Sequence, residues 1–478
     1  MTNSTFTSAS SGRGDQLLDQ LLSAPDRPVL IQGAAIVSMD PTVGDLAAGD
    51  ILIRGSKIEA VGADLSETAA RAQASIVDAS GHVVIPGMID AHRHCWQTQM
   101  RRLWADADIM EYFALAHTRL GPAYQPQDMY LGTKLAALGA MDAGVTSVLD
   151  FSHNIRSPEH SDAVVAAWKD SGARGVFASS PPMGGEWDPS WLTDLTRVRE
   201  EYFPSDDALV TLRIGLMPKV LPTVEGDALL SGERIRQARD LGIGISVDGA
   251  QGPGAAAHIQ RLAEEGVLGP DLTWIHGGTL DDAAWKIISD TGGQVALAVT
   301  SDQQLEIFES ISPIQKALDV GLRPAFSIDV ECSLSSDMFT QMRVALNVQR
   351  MQAGNRRFHG DEDAPASIGV RDVLEFATVS GAKANGVWDR AGSITPGKEA
   401  DVVLINAGEF TNFPLNNSVA TVVLGADARS VDAVFVAGRP RKWRGELLVE
   451  DAARLRREVV ESRDRLLEAI EYDLDITV

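Results

Sequence analysis

The sequence predicts an α/β fold: a (β/α)8 (TIM) barrel with a small β-sandwich domain built from both ends of the chain. Three observations predict it. The segment 86–394 alternates short apolar runs with helical patterns, as such a barrel requires. Segments 28–85 and 395–445 are instead dense in short β-branched runs separated by glycine turns. Polar residues directly follow several central runs, which is where barrel enzymes carry their active sites.

The two chain ends differ in pattern from the centre. Residues 1–27 predict a flexible tail, rich in serine and threonine and without the apolar core of a signal peptide, with a short helix at 16–22. Strand-rich segments 28–85 and 395–445 are expected to complete one antiparallel domain, with the barrel inserted between them. Residues 446–478 predict an amphipathic helix that packs on its own subunit or contacts a second copy.

Eight strands are predicted for the barrel. The first is the run 82–85, which leads toward His92. Seven more follow, at 147–150, 175–179, 211–217, 244–247, 272–276, 294–298 and 323–328. Helical patterns lie between them, at 129–142, 232–241, 258–265 and 281–290. Strands that alternate with helices in this way indicate parallel β-α-β units.

Composition narrows the classes of partner. The chain has 478 residues, with 42 basic and 66 acidic side chains and a net charge of −24. Nucleic acid and anionic membranes would repel it, and no apolar run is long enough to span a bilayer, so we expect a small-molecule substrate. Two cysteines, Cys95 and Cys332, argue against a disulfide framework and predict a cytoplasmic protein. A homo-oligomer, dimeric or larger, is also expected.

Two histidines one residue apart, His92 and His94, are the strongest chemical signal. In an extended chain, residues i and i+2 project to the same side, so both imidazoles can hold one ion. Further candidates end or follow other predicted strands: His276, Asp329, Asp248, His153 and Lys219. A divalent ion lowers the pKa of its water to about 7. Asp329 would then bind the ion or accept the proton.

Several ordered motifs carry a family resemblance. His92-Arg93-His94, after a Pro-Gly-Met-Ile-Asp run, resembles the HxH signature of the amidohydrolase superfamily. The segment 392–401 is similar to its GSI/L-x-PGK-x-AD motif, and 144–150 is similar to its GVTTVVD strand. The segment 329–343 is similar to the branch that contains cytosine/guanine deaminase-like and triazine hydrolase-like enzymes.

The resemblance implies a barrel that binds one divalent metal ion, zinc first, with iron, manganese or cobalt as alternatives. The family's ligands are normally the HxH pair, a histidine after the fifth strand and an aspartate after the eighth. A histidine after the sixth strand ligates or polarises the substrate. Matched here, these positions give His92, His94, His276 and Asp329. The expected catalytic residues are Asp329, His276 and Asp248.

The histidine expected after the fifth strand is absent. Asp248 ends that strand, and Ala250 stands where the family often has a catalytic glutamate. Three alternatives remain. Asp248 replaces the histidine as an oxygen ligand; His153 or Lys219 contributes instead; or the metal site is degraded and Asp248 is an acid, a base or inert.

The missing glutamate disfavours ordinary heterocycle deamination, because nothing else in the motif delivers a proton to the ring. We therefore expect a metal-dependent hydrolase of a C–N or C–S bond in a small, fairly apolar amide, carbamate, urea or activated heterocycle. The alternatives are a lyase, such as a hydratase, dehydratase or decarboxylase, and a non-catalytic binding protein.

Residues after the first strand supply candidate substrate contacts. Gln97 is expected to contact a substrate amide or carbonyl, and Trp96 and Trp104 to wall an aromatic pocket. His153, after the second strand, is a further candidate substrate contact. Cys95 is expected to be a small buried side chain, since nothing in the sequence would activate it as a nucleophile.

Overall fold

A computed structural model describes residues 15–218, 229–308 and 311–476. The first five strands belong to a sheet near the N-terminus: β1 (Val29–Ile36), β2 (Leu46–Arg54), β3 (Lys57–Gly62), β4 (Ser75–Asp78) and β5 (His82–Pro86). Strand β1 pairs antiparallel with β2 but parallel with β4 and β5. The sheet is therefore mixed, whereas the sequence predicted an antiparallel domain. Lys219 lies outside the described residues.

Eight parallel strands follow and form the barrel: β6 (Met88–Arg93), β7 (Val145–Ser152), β8 (Arg174–Ser179), β9 (Val210–Leu216), β10 (Gly244–Val247), β11 (Leu272–Ile275), β12 (Gln294–Leu297) and β13 (Ala325–Phe326). They neighbour one another in chain order from β6 to β13. The barrel closes where the backbone of Asp329 exchanges hydrogen bonds with His92 and His94, of 2.9 and 2.8 Å. The predicted barrel fold is confirmed.

The prediction for the first barrel strand is wrong. The run 82–85 forms β5 of the terminal sheet, and the barrel begins one strand later with β6, which contains His92 itself. Gly87 separates the two strands, and a Cβ there would lie 2.0 Å from Oγ1 of Thr146. Only glycine allows the chain to cross so close to β7. Both runs are apolar, so hydrophobicity alone did not separate them.

The terminal sheet is completed from the other end of the chain by β14 (Val402–Asn406), β15 (Val431–Val436), β16 (Arg439–Trp443) and β17 (Glu446–Leu447). Strand β14 pairs antiparallel with β5, with Val403 opposite Ile85. Both chain ends therefore build one nine-stranded sheet, as the sequence predicted. Arg174, at the start of β8, joins this sheet to the barrel, since its Nε lies 2.8 Å from Asp401 and its guanidinium also contacts Glu399.

The helices are α1 (Gln16–Ser23), α2 (Ser66–Arg71), α3 (Ile109–Tyr112), α4 (Pro126–Asp142), α5 (Pro158–Ser171), α6 (Trp191–Tyr202), α7 (Gly232–Asp240), α8 (Ala255–Glu264), α9 (Asp282–Asp290), α10 (Val299–Gln304), α11 (Ile314–Asp319), α12 (Met338–Phe358), α13 (Val370–Glu375), α14 (Gly381–Ala384), α15 (Ser418–Ala420) and α16 (Ala452–Ala469). The C-terminal helix α16 packs on its own subunit, where Ser462 donates to Asp128 of α4 at 2.7 Å. Within the described residues, no helix combines the length and apolar character needed to cross a membrane.

Candidate metal centre

The first two histidines are fixed by the strand that carries them. His92 lies in β6 and His94 follows it, and both are buried. Between them, Arg93 is fully buried and makes ion pairs with Asp90 at 2.7 Å and with Glu331 at 2.9 Å. The alternation of a strand explains this arrangement: the histidines face the barrel mouth while Arg93 points the other way. The Arg93 contacts tie β6 to the segment after β13.

His276 and Asp329 follow β11 and β13. Both adopt left-handed backbone angles, with φ of 76° and 67°. For residues with a side chain this conformation is uncommon and costs free energy, and such strain concentrates at functional sites. Asp329 places Oδ1 3.2 Å from Nε2 of both His92 and His94.

Asp248 follows β10, the fifth barrel strand, and points into the same cluster. Its Oδ2 lies 3.5 Å from Nε2 of His94, and its Oδ1 lies 3.3 Å from Nε2 of His276. The structure therefore brings together all five residues for which metal binding was predicted. In each of two overlapping groups, His92–His94–Asp248 and His92–His276–Asp329, the donor atoms lie within 4.8 Å of one another.

The cluster fits a divalent cation. Nε2 of His92 is buried and has no hydrogen-bond partner, although its neighbours are carboxylate oxygens. His94 Nδ1 lies 3.0 Å from the carbonyl oxygen of Phe151, and His276 Nδ1 lies 2.8 Å from Oδ1 of Asp302. Each contact places a proton on Nδ1 and leaves Nε2 free to bind a metal. Two carboxylates would balance the charge of a divalent ion.

The pKa shifts follow from the same contacts. Burial favours the neutral acid, yet the surrounding histidines hold the pKa of Asp248 at about 2. Burial likewise opposes ionisation of Asp329, but the adjacent His92 and His94 keep its pKa well below the ordinary value. Burial disfavours a charged His276, while Asp302 and Asp248 together raise its pKa. Both aspartates are thus carboxylates at neutral pH, as cation ligands must be.

Asp302 was not identified as a site residue from the sequence. It lies in α10, directly after β12. Its Oδ1 is paired with His276, and its Oδ2 is buried without a hydrogen-bond partner. Its neighbour Ser301 donates to Oδ2 of Asp329. The available signal was its position, since an acidic residue just after a barrel strand is placed near the active-site face.

A pocket opens above the cluster. Its described lining is largely apolar: Ile109, Tyr112, Phe113, Met183, Met217, Leu305, Ile307 and Phe308. The polar lining consists of His94, His117, His153, Gln251, His276, Asp248 and Asp329. Among the described lining residues there is no lysine, arginine or glutamate. The site is therefore suited to small, uncharged molecules with apolar substituents.

Of the four predicted substrate contacts, His153 lines the pocket, whereas Gln97, Trp96 and Trp104 do not. His153 lines the pocket, with its ring centroid 4.0 Å from that of His94. Trp96 and Gln97 lie in a 3₁₀ helix, Cys95–Met100, that turns inward, and both are fully buried behind the wall. Gln97 Nε2 donates to the hydroxyl of Tyr112 at 2.7 Å. Trp104 is buried in the core and does not line the pocket either.

Comparison with known proteins assigns the family. The profile of the amidohydrolase family matches residues 83–441, so the chain belongs to the amidohydrolase family, as its motifs predicted. It is thereby a hydrolase that acts on carbon–nitrogen bonds other than peptide bonds. The matched segment contains all eight barrel strands and strands β14 and β15 of the terminal sheet.

Two curated relatives are similar to this chain over nearly their full lengths. The chain is similar to a 5-methylthioadenosine/S-adenosylhomocysteine deaminase of Pelotomaculum thermopropionicum, with 24% identity over 92% of this chain and 99% of the relative. A 5′-deoxyadenosine deaminase of Methanothermobacter thermautotrophicus is 26% identical over 88% and 94%.

Two solved structures share the fold. An adenosine deaminase from Xanthomonas campestris with bound zinc has a TM-score of 0.77 and 21% identity, covering 92% of this chain and 98% of that one. A variant of atrazine chlorohydrolase from Arthrobacter aurescens, complexed with zinc and atraton, has a TM-score of 0.79 and 19% identity, covering 91% and 100%.

Proposed function

We propose that this protein is a mononuclear metal hydrolase of an uncharged, largely apolar amide, carbamate, thiocarbamate, urea or substituted heterocycle. The observation that carries the proposal is the position of Asp248. Its carboxylate lies among His92, His94 and His276, at the end of the fifth barrel strand, where the sequence lacks the expected histidine. In this proposal the ligands are His92, His94, Asp248 and Asp329, with His276.

The proposed metal is zinc, which two structures of similar fold contain. Bound here, a divalent ion would supply Lewis-acid polarisation of the scissile group and would activate water at neutral pH. A donor set with two carboxylates is also compatible with manganese, iron or cobalt, which accept oxygen ligands readily.

The chain's own residues provide the remaining steps. Asp329 is ionised and faces the histidine nitrogens, so its carboxylate can accept the proton that the attacking water loses. His276 is oriented by Asp302 and can stabilise the negative charge that develops on the oxygen or nitrogen attached to the reacting carbon. The apolar pocket wall excludes water and binds the apolar substituents.

The pocket also supports the substrate class. No described lining residue is a glutamate that could replace the one the sequence lacks, since Ala250 is a buried alanine and Gln251 is neutral. A leaving group that needs little protonation, such as an aryl amine, phenol or thiol, suits such a site. Nucleosides, the substrates named for two relatives, are the competing class.

The test combines metal analysis with a substrate panel. We expect about one divalent ion per chain in the wild type and a loss of that ion in Asp248→Ala. The matched control, Asp240→Ala, changes an exposed carboxylate just before the same strand and should retain the metal. Metal retained in Asp248→Ala would contradict the role of Asp248 as a ligand, and no metal in the wild type would contradict the whole proposal.

The panel contains 4-nitrophenyl N,N-diethylcarbamate, its S-aryl thiocarbamate analogue, 4-nitroacetanilide, a 4-nitrophenylurea, a chloro-s-triazine and 5′-deoxyadenosine. Release of nitrophenol, thiol or nitroaniline is expected from the acyl substrates. Turnover of 5′-deoxyadenosine alone would reassign the substrate to nucleosides. Product formed without water addition would favour a lyase.

Cellular location and assembly are further parts of the proposal. The two cysteines are free and buried, which is compatible with the cytoplasm. Val460 of α16 is partly exposed and Ile476 is largely exposed, and they offer an apolar contact to a second copy. Sedimentation of the purified protein would distinguish a homo-oligomer from a monomer.

A further inference from the structure

His153 and Trp96 form a hydrogen-bonded pair at the pocket wall. The indole Nε1 of Trp96 lies 3.1 Å from Nδ1 of His153. An indole nitrogen can only donate, so Nδ1 of His153 must accept and carries no proton. Trp96 itself is fully buried and held edge-on against Tyr124, with ring centroids 4.8 Å apart. The tautomer of His153 is therefore fixed by a side chain that has no freedom to move away.

The second ring nitrogen of His153 is consequently a donor. A neutral imidazole has one proton, and here it must be on Nε2. An imidazole whose Nδ1 accepts a hydrogen bond cannot be an imidazolium, so the contact with Trp96 requires a neutral His153 ring. Among the described residues, none accepts a hydrogen bond from this Nε2. Since His153 lines the pocket, the unpaired donor lies at the substrate space.

His117 places a second neutral ring beside His153 at this wall. It lies in a π-helical segment, Phe113–Leu120, with its ring centroid 4.6 Å from that of His153. Burial lowers the pKa of His117 to about 3, so this ring is neutral too. The wall near the metal ligands thus carries neutral polar rings and no charge, and it recognises a neutral acceptor rather than an ion.

We propose that His153 donates a hydrogen bond from Nε2 to an acceptor atom of the substrate, a carbonyl oxygen or a ring nitrogen close to the scissile bond, and that Trp96 holds His153 in the tautomer that can do so. This rests on the proposed function, because it names how the same pocket selects its substrate. His153 binds the substrate, and Trp96 is a positioning residue behind it.

The first test is independent of activity. In zinc-loaded protein labelled with ¹⁵N-histidine, the signals missing from His153→Gln identify residue 153. We expect a protonated Nε2 and an unprotonated Nδ1 in the wild type. In Trp96→Phe, which keeps an aromatic ring but removes the donor, the Nδ1 signal should shift. A protonated Nδ1 in the wild type would overturn the proposal.

The second test separates binding from chemistry. With 4-nitrophenyl N,N-diethylcarbamate, His153→Phe should raise KM about tenfold, the value of one neutral hydrogen bond, and change kcat much less. His153→Gln, which retains an N–H donor, should recover part of the loss, and Trp96→Phe should raise KM by a smaller factor. The control His160→Gln, a buried histidine of α5 outside the pocket, should leave KM unchanged.

The outcomes distinguish the two proposals. An unchanged KM in a folded, metal-loaded His153→Phe would overturn the donor role while leaving the hydrolase function intact. If His153→Phe does not fold, the Gln and Trp96→Phe variants decide by the same measurements. No turnover of the panel by the wild type would contradict the proposed function, and the nitrogen signals would still decide the tautomer.

Discussion

His276 and Asp302 form a hydrogen-bonded pair behind the candidate metal centre, with Nδ1 of the histidine 2.8 Å from Oδ1 of the aspartate. The pair joins the ends of β11 and β12, and it orients the other imidazole nitrogen toward Asp248. A carboxylate in this position raises the basicity of a metal-binding histidine and fixes its ring.

Removing that carboxylate should weaken metal binding. We expect Asp302→Asn to reduce zinc affinity by about 10- to 100-fold, because the amide orients His276 less firmly and carries no charge. Competition with a fluorescent zinc chelator measures this. The control Asp290→Asn changes an exposed carboxylate of α9 that pairs with Lys286. Equal affinities for both variants would contradict the role of Asp302.

Removal of the metal should destabilise the fold around the barrel mouth. Without a cation, two buried carboxylates lie beside each other near His92 and His94. A ligand at about 1,000 times its Kd stabilises by about 4 kcal/mol, so chelation should lower the thermal midpoint by several degrees. Scanning calorimetry before chelation, after it and after return of zinc provides the measurement. A thermal midpoint that does not change when zinc is removed or returned would rule out a tight metal site.

The buried contact between Arg93 and Glu331 should be essential for stability. Glu331→Gln leaves the fully buried Arg93 with Asp90 as its remaining carboxylate partner and should cost about 3 kcal/mol in the free energy of unfolding. Urea unfolding of the metal-loaded protein measures the loss. The matched control Glu59→Gln breaks an exposed pair with Arg54 and should cost less than about 1 kcal/mol.

The contact between Arg174 and Glu399 should make stability depend on pH. Burial favours the neutral form of Glu399, but Arg174 and Arg390 outweigh it and hold its pKa below the ordinary 4.5. Because the folded-state pKa is depressed, the stabilisation is present above about pH 4.5 and is lost as the pH falls through the folded value.

Glu399→Gln should therefore be less stable than the wild type at pH 7, by about 2 kcal/mol, and the difference should shrink as the pH falls below 4.5. Urea unfolding at a series of pH values measures both. Glu67→Gln, which breaks an exposed pair with Arg71, serves as the control. A difference that stays constant down to about pH 3 would contradict the proposed linkage.

Much of the architecture was predictable because its signals are local. The alternation of apolar strands and helical patterns predicted the barrel, and the returning β-rich segment predicted the shared terminal sheet. The error at the first barrel strand arose because β5 and β6 are both apolar and adjacent. Their separation depends on the crossing at Gly87, which becomes evident only against Thr146 of β7.

The site was predictable in part. The His92-Arg93-His94 spacing and the polar residues after other strands gave five candidate ligands, and the structure places all five together. Trp96, Gln97 and Trp104 were expected in the pocket, but the inward turn of Cys95–Met100 places the first two behind its wall. That turn is set by packing against the barrel helices rather than by a local pattern.

The sequence by itself determined the family, the barrel with its shared terminal sheet, and the set of candidate metal ligands. Periodicity, short spacings and ordered motifs encode these directly. Only the tertiary structure decided that Asp248 points inward, that Asp302 supports His276, and that Trp96 fixes the tautomer of His153. The physical reason is that each of these pairs joins residues from separate strand ends or loops. Their side-chain directions depend on backbone angles and packing around the closed barrel, which no local pattern specifies.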